Sequence, residues 1–144
     1  MREPAPFVCF GGVDWWYHSH AHSDVQLMLA LARERRVLFV NSIGMRMPRP
    51  GKSAGFARKI LRKARSTLRW LRRPRRDLPR FWVLSPVLLP FYGSARMRRV
   101  NAALIRLQVR LAMRRLGIAR PHVVVTVPTA WDVAAPLARR SLVY

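Results

Sequence analysis

Residues 7–42 hold a strand, a loop, a helix and a second strand within 36 residues, and this alternation restricts the fold more than any other feature of the chain. Phe7-Val8-Cys9-Phe10 is a short apolar run ending on Gly11-Gly12. A strand buried on both faces reads this way when it enters a tight turn, and such a turn is expected to need positive φ at Gly12. A polar and aromatic loop follows, from Val13 through Asp14, Trp15, Trp16 and Tyr17 to His18, His20 and His22. Ser23 is placed to cap a helix, with Asp24 in the first turn, where the helix dipole favours negative charge. Val25, Met28, Leu29 and Ala32 fall at helical spacing and form one apolar stripe. Arg33, Arg35 and Arg36 crowd the expected helix end, and Val37-Leu38-Phe39-Val40 is the second strand, closed by Asn41-Ser42. Two parallel strands joined by a helix make a right-handed unit. Ligands of such sheets bind beyond the carboxyl ends of the strands, here the loop from Gly11 to His22 and the segment from Asn41 to Gly44.

The same alternation continues. Residues 43–54 are rich in Pro and Gly and read as a loop. Phe56, Ile60, Leu61, Ala64, Leu68 and Leu71 recur at helical spacing, which predicts a basic amphipathic helix over 56–73 that Pro74 ends. Residues 81–85 are the third expected strand, followed by an extended apolar stretch to Pro90. Ser94 should cap the longest helix, running to about Leu116 and stopped by Gly117, with Met97, Val100, Leu104, Leu107 and Leu111 as its apolar stripe. Asn101, Ile105 and Gln108 would widen that stripe. Residues 122–127 are the clearest buried strand, Thr129 the expected cap of a short helix over 130–139 that Pro136 would shorten, and residues 141–144 the beginning of a fifth strand. The expected class is therefore α/β, a doubly wound, mostly parallel sheet flanked by helices. A chain that ends on an opening strand further suggests the amino-terminal part of a larger protein.

Charge narrows the partners. There are 28 Lys and Arg against 6 Asp and Glu, a formal net charge of +22, so an anionic partner is expected: a membrane leaflet, nucleic acid or phosphate groups on a substrate. Only Lys52, Lys59 and Lys63 are lysines, which suits bidentate phosphate contacts but is more readily produced by a GC-rich coding bias toward arginine. No acidic residue lies between Glu34 and Asp77, a span holding thirteen cations from Arg46 to Arg76. An interfacial helix on anionic lipid uses such a pattern, with Arg58, Lys59, Arg62, Lys63 and Arg69 meeting phosphates and Trp70 at the headgroup boundary. The alternative is a solvated charged face, or a non-enzymatic basic module for nucleic acid or an acidic partner. The chain carries none of the common nucleic-acid-binding motifs, so nucleic acid ranks below lipid. Cys9 is the single cysteine, which excludes an internal disulfide and fits a cytoplasmic chain. No uncharged apolar run reaches the ~20 residues needed to span a bilayer.

Candidate chemistry gathers in the loop after the first strand. His18, His20 and His22 alternate there, but no cysteine or carboxylate stands at metal-ligand spacing, and no metal is expected. A histidine in this loop can serve as a general base near neutral pH or simply face solvent. Asp14 can orient a sugar hydroxyl or a histidine. Trp15 and Trp16 either stack on a sugar ring or pack beneath the loop. No dinucleotide fingerprint, P-loop or nucleophile elbow is present.

Two stretches carry a family resemblance: Phe10-Gly11-Gly12-Val13-Asp14-Trp15-Trp16, and the helix-to-strand junction from Leu29 to Gly44. With the strand from His122 to Thr126 and the closing Leu142-Val143-Tyr144, they resemble the amino-terminal half of GT-B glycosyltransferases, particularly family-4-like enzymes of bacterial cell-surface polysaccharide synthesis. The resemblance implies a Rossmann-like, acceptor-side domain. His18, His20 and Asp14 would be catalytic, and Gly11, Gly12, Trp15, Trp16 and Asn41 would contact substrate. It also implies a nucleotide-sugar donor bound mainly by a carboxyl-terminal half that these 144 residues lack, a polysaccharide or lipid-linked acceptor, no metal or other cofactor, and a peripheral position at the inner face of the cytoplasmic membrane.

Overall fold

The structure is a computed structural model and describes residues 3–16, 20–43, 70–89 and 93–144. Among the described residues six strands form one sheet: β1 (Phe7–Phe10), β2 (Val37–Val40), β3 (Leu71–Arg72), β4 (Phe81–Leu84), β5 (His122–Val125) and β6 (Ser141–Val143). Their order is β3-β4-β2-β1-β5-β6, and every pairing is parallel except that of β3 with β4. Among the described residues three α-helices accompany it, α1 (Ser23–Leu31), α2 (Ala95–Arg115) and the single-turn α3 (Trp131–Ala134). The protein is thus α/β with a mostly parallel sheet, as its alternating pattern predicts. β1 sits in the middle because its four residues are apolar throughout. Phe7 aligns with Val37 on one side and with His122 on the other.

Alternate residues of the strands feed two cores. Val8, Phe10, Leu38, Val40, Leu84, Val123 and Val125 pack with α2 and α3. Cys9, Val37, Phe39, Phe81 and Val83 pack with Val25 and Met28 of α1 and with Ala32 directly after it, while Leu29, the fourth residue of the expected stripe, is partly buried against them. Since successive strand side chains point to opposite faces, helices cover both sides of the sheet.

Several local expectations are corrected. The helix expected over 56–73 does not reach its end, because Leu71–Arg72 is an edge strand antiparallel to β4. Sheet pairing there overrides the helical spacing of Leu71: the Ser85 amide donates to the Trp70 carbonyl at 2.7 Å. Residues 56–69 of that expected helix lie outside the described residues. Ser23 does not cap α1; the cap position is His22, without a side-chain bond, and Ser23 is the first helical residue. Arg33, Arg35 and Arg36 lie past the helix end, where Arg36 donates to the Leu116 carbonyl at 2.8 Å and pairs with Glu3 at 3.0 Å. Thr129 is not a side-chain cap either, since a 3-10 turn, Pro128–Ala130, leads into α3, which stops before Pro136.

Ser94 does cap α2, its side chain accepting from the Met97 amide, and Gly117 follows the helix with φ of 64°. The stripe predicted for α2 is rotated from the true one. Asn101, Ala102, Ile105, Gln108, Val109, Ala112 and Met113 are buried, whereas Val100, Leu107 and Leu111 are 42%, 53% and 46% exposed. Two spacings compete on this helix, and the amides of Asn101 and Gln108 decide between them. Asn101 exchanges hydrogen bonds with the backbone of Leu89, and Gln108 with that of Val87. Trimming one methylene at Ile105 should therefore cost more than removing most of the Leu107 side chain. We expect Ile105→Val to lose about 1 kcal/mol in urea unfolding. Leu107→Ala should stay within about 0.5 kcal/mol of the parent.

Candidate functional site

The carboxyl ends of β1, β2 and β4 deliver polar groups to one place. Asn41 follows β2 and is fully buried. Its Oδ1 accepts from the Trp15 amide at 2.9 Å, and its Nδ2 donates to Ser85 Oγ at 2.8 Å and to Asp14 Oδ1 at 3.3 Å. Asp14 Oδ1 also accepts from the Trp16 amide at 3.0 Å, and the Trp16 indole donates to Ser85 Oγ at 3.1 Å. The side chains of four residues from three strand ends, with the Trp15 amide, thus share one hydrogen-bonded cluster. A buried amide of this kind is stable only when its donors and acceptors are matched, and among the described residues no buried side-chain polar atom is unmatched.

The loop above is pinned from both sides. Trp15 is 5% exposed, packed edge-on to Phe39 and tilted against Phe81. His20 stacks on its outer face with ring centres 3.8 Å apart. The His20 Nε2 lies 2.9 Å from the Trp15 carbonyl. A carbonyl only accepts, so Nε2 carries the proton and Nδ1 is the basic nitrogen of the neutral ring. His18 lies outside the described residues.

The turn after β1 is closed by a carboxylate. Asp24 Oδ2 accepts from the Gly12 amide at 3.1 Å and from Thr126 Oγ1 at 3.3 Å, while Oδ1 accepts from the Val25 amide at 2.8 Å. The Thr126 hydroxyl shares its one proton between this carboxylate and the Phe10 carbonyl, 2.9 Å away, and so ties the Asp24 turn to the ends of β1 and β5, where the strand order reverses. The Gly11 amide donates to Val40. Both glycine amides are therefore engaged, and an anion binding at Gly12 has to displace Asp24. The positive φ expected at Gly12 is absent: among the described glycines only Gly117 has one. Gly11 is required instead by the Phe39 ring, which lies where a β-carbon would be.

Of the residues expected to act together, Asp14, Trp16 and Asn41 share one cluster. Trp15 and His20 stack beside it, and Gly11 and Gly12 line the adjoining turn. Ser85, Asp24 and Thr126 were not foreseen as site residues. Ser85 had a legible signal, a hydroxyl directly after an apolar strand, whereas Asp24 and Thr126 meet only through the pairing of β1 with β5. Trp70 is half-buried and packs on the core, with its indole donating to Gln108 at 3.1 Å. Arg58, Lys59, Arg62, Lys63 and Arg69 lie outside the described residues. Burial pushes the Cys9 thiol up to about 12, aided by the Asp24 charge, so it is no nucleophile at neutral pH. Among the described residues no three His, Cys, Asp or Glu side chains come together as a metal site, and no helix is long and apolar enough to cross a membrane. No protein-family model, curated protein or solved structure matches this chain.

Proposed function

We propose that the chain is the acceptor-side α/β unit of a GT-B glycosyltransferase, working on a polysaccharide or lipid-linked acceptor at the inner face of the cytoplasmic membrane. The observation that carries this reading is the cluster of Asp14, Trp16, Asn41 and Ser85 at the carboxyl ends of three neighbouring parallel strands. Leaving out β3, the strands follow the order third, second, first, fourth, fifth, which supports a doubly wound Rossmann-like reading, and ligands of such sheets bind at this end. In this reading Asp14 orients an acceptor hydroxyl, Nδ1 of His20 is the candidate base, and the half-buried Trp16 offers a ring to a sugar. Trp15 supports the loop from below. Asn41 holds Asp14 and the Trp15 amide in place. Donor phosphates fall to a second, donor-binding unit, consistent with Asp24 already engaging the Gly12 amide. Basic residues of the 55–76 segment meet anionic lipid.

The test is a titration of the folded chain with soluble and lipid-linked saccharides, read by tryptophan fluorescence. Saturable binding is expected, weakened about tenfold in Asp14→Asn and in His20→Ala. Asp14→Asn keeps the Oδ1 acceptor, so a loss there reports on charge rather than on folding. With a panel of nucleotide-sugars the chain alone should give no product. If no saccharide binds while duplex DNA binds tightly and with strong salt dependence, the basic-module reading replaces this one.

A further inference from the structure

Among the described residues the outer face of α2 is an exposed apolar seam in a strongly basic setting. Met97, Val100, Leu104, Leu107 and Leu111 are spaced three, four, three and four residues apart, the spacing at which one helix receives the side chains of another. Val100, Leu107 and Leu111 are each more than two-fifths exposed, and they run along a helix about 30 Å long. One border of the seam is the extended backbone that Asn101 and Gln108 hold against the helix, and it adds the exposed side chains of Val87 and Leu89. The other border is basic. At 100° per residue, Arg96, Arg110 and Arg114 lie beside Val100 and Leu107 on the flank away from Gln108, and all three are exposed.

α2 carries seven arginines and no acidic residue. Arg106 gives its guanidinium to the carbonyls of Asp132 and Val133. The ion pairs among the described residues are Arg36 with Glu3 and Arg75 with Asp77, so the arginines bordering the seam are unpaired there. This charge selects the occupant. A second copy would set the arginine row of one helix against that of the other within a pair of chains each at +22. A lipid surface prefers a broad apolar face with aromatic residues at its boundary, whereas this seam is narrow, aliphatic and basic on one side only.

We infer that this face docks an acidic amphipathic helix of a partner protein. Its apolar residues meet Val100, Leu104, Leu107 and Leu111, and its carboxylates face Arg96, Arg110 and Arg114. The inference does not depend on the transferase reading, because the seam and the strand-end cluster share no residue.

The probe is a synthetic helical peptide with leucine at the a and d positions of its heptads and glutamate on both flanks. A control peptide keeps the glutamates and replaces the leucines with glutamine. The leucine peptide should bind the intact chain at least about tenfold more tightly than the control. Leu107→Gln with Leu111→Gln should weaken it about tenfold, and so should Arg110→Glu with Arg114→Glu, the latter recovered by a lysine-flanked peptide. Arg33→Glu with Arg76→Glu, away from the seam, should change binding by less than about twofold. All substituted positions are exposed, and thermal unfolding of each variant confirms that the chain remains folded. Equal binding of the two peptides overturns the inference, as does indifference to the seam substitutions. Tighter binding to vesicles of phosphatidylglycerol and phosphatidylcholine in competition with the leucine peptide would make the seam a lipid surface. Concentration-dependent dimers lost in Leu107→Gln would make it a self-association surface, against the inference.

Discussion

Gly11→Ala is expected to unfold at much lower urea than the parent, with a loss of about 3 kcal/mol or more. A β-carbon on Gly11 would stand 2.1 Å from Cζ of Phe39 and 2.8 Å from both of its Cε atoms. The ring has nowhere to go, because Phe39 is completely buried, with the ring centres of Phe81 and Trp15 at 6.3 Å and 6.4 Å from its own. The penalty is one of volume and not of backbone conformation. Shrinking the ring should then offset part of it, so Gly11→Ala combined with Phe39→Leu should cost less than the sum of the two single changes by more than about 1 kcal/mol. Gly12→Ala provides the contrast. Its β-carbon would meet Cγ1 of Val127 at 3.2 Å, an end that can rotate, and Oγ1 of Thr126 at an ordinary 3.9 Å, and the cost should remain below about 1 kcal/mol. Equal destabilisation by the two alanines would show that the ring contact does not govern this turn.

Asn41→Ala should remove about 3 kcal/mol and, with it, saccharide binding. The side chain satisfies the buried Trp15 amide and donates to Ser85 and Asp14, and alanine leaves that amide without a partner in a site where Asn41 itself is inaccessible to water. Ser85→Ala removes one hydroxyl from the same cluster and should cost only about 1 kcal/mol. Asn41→Asp tests the electrostatics. It keeps an acceptor for Trp15 but sets a second carboxylate against Asp14, which favours a shared proton in the folded state. A carboxyl whose folded pKa is raised binds more protons folded than unfolded, so stability falls as pH rises above about 4. The urea midpoint of Asn41→Asp relative to the parent should therefore drop between mildly acidic and neutral pH. A pH-independent difference would mean that the two carboxylates do not interact.

The elements that could be read from the chain are those whose residues answer to a single environment. β1, β2 and β4 are uniformly apolar because parallel strands are covered on both faces, and that pattern is visible in four residues. Ser94 and Gly117 bound α2 through local backbone chemistry, which sequence also carries. The rotation of α2 is not legible in the chain, since two apolar stripes coexist on it and hydrophobicity alone does not say which one faces the core. The polar Asn101 and Gln108 turned inward because the backbone at Val87 and Leu89 lay there to receive them. Leu71 likewise obeyed an available sheet edge over its own helical spacing.

The candidate site divides in the same way. Asp14, the two tryptophans and Asn41 were legible because they sit at strand ends, the one location where an α/β sheet exposes side chains to a ligand. Their roles were not legible. That Trp15 supports while Trp16 faces Ser85, that Gly11 makes room for a ring, and that Asp24 closes the turn against Thr126 all depend on contacts between segments up to 102 residues apart. By itself the sequence determined which residues alternate into strands and helices, since that follows from local periodicity and capping. The partners each side chain finds were decided only when parallel pairing set β2 and β5 on either side of β1, because a hydrogen bond or a packed ring needs its counterpart within a few ångströms and chain order does not specify it.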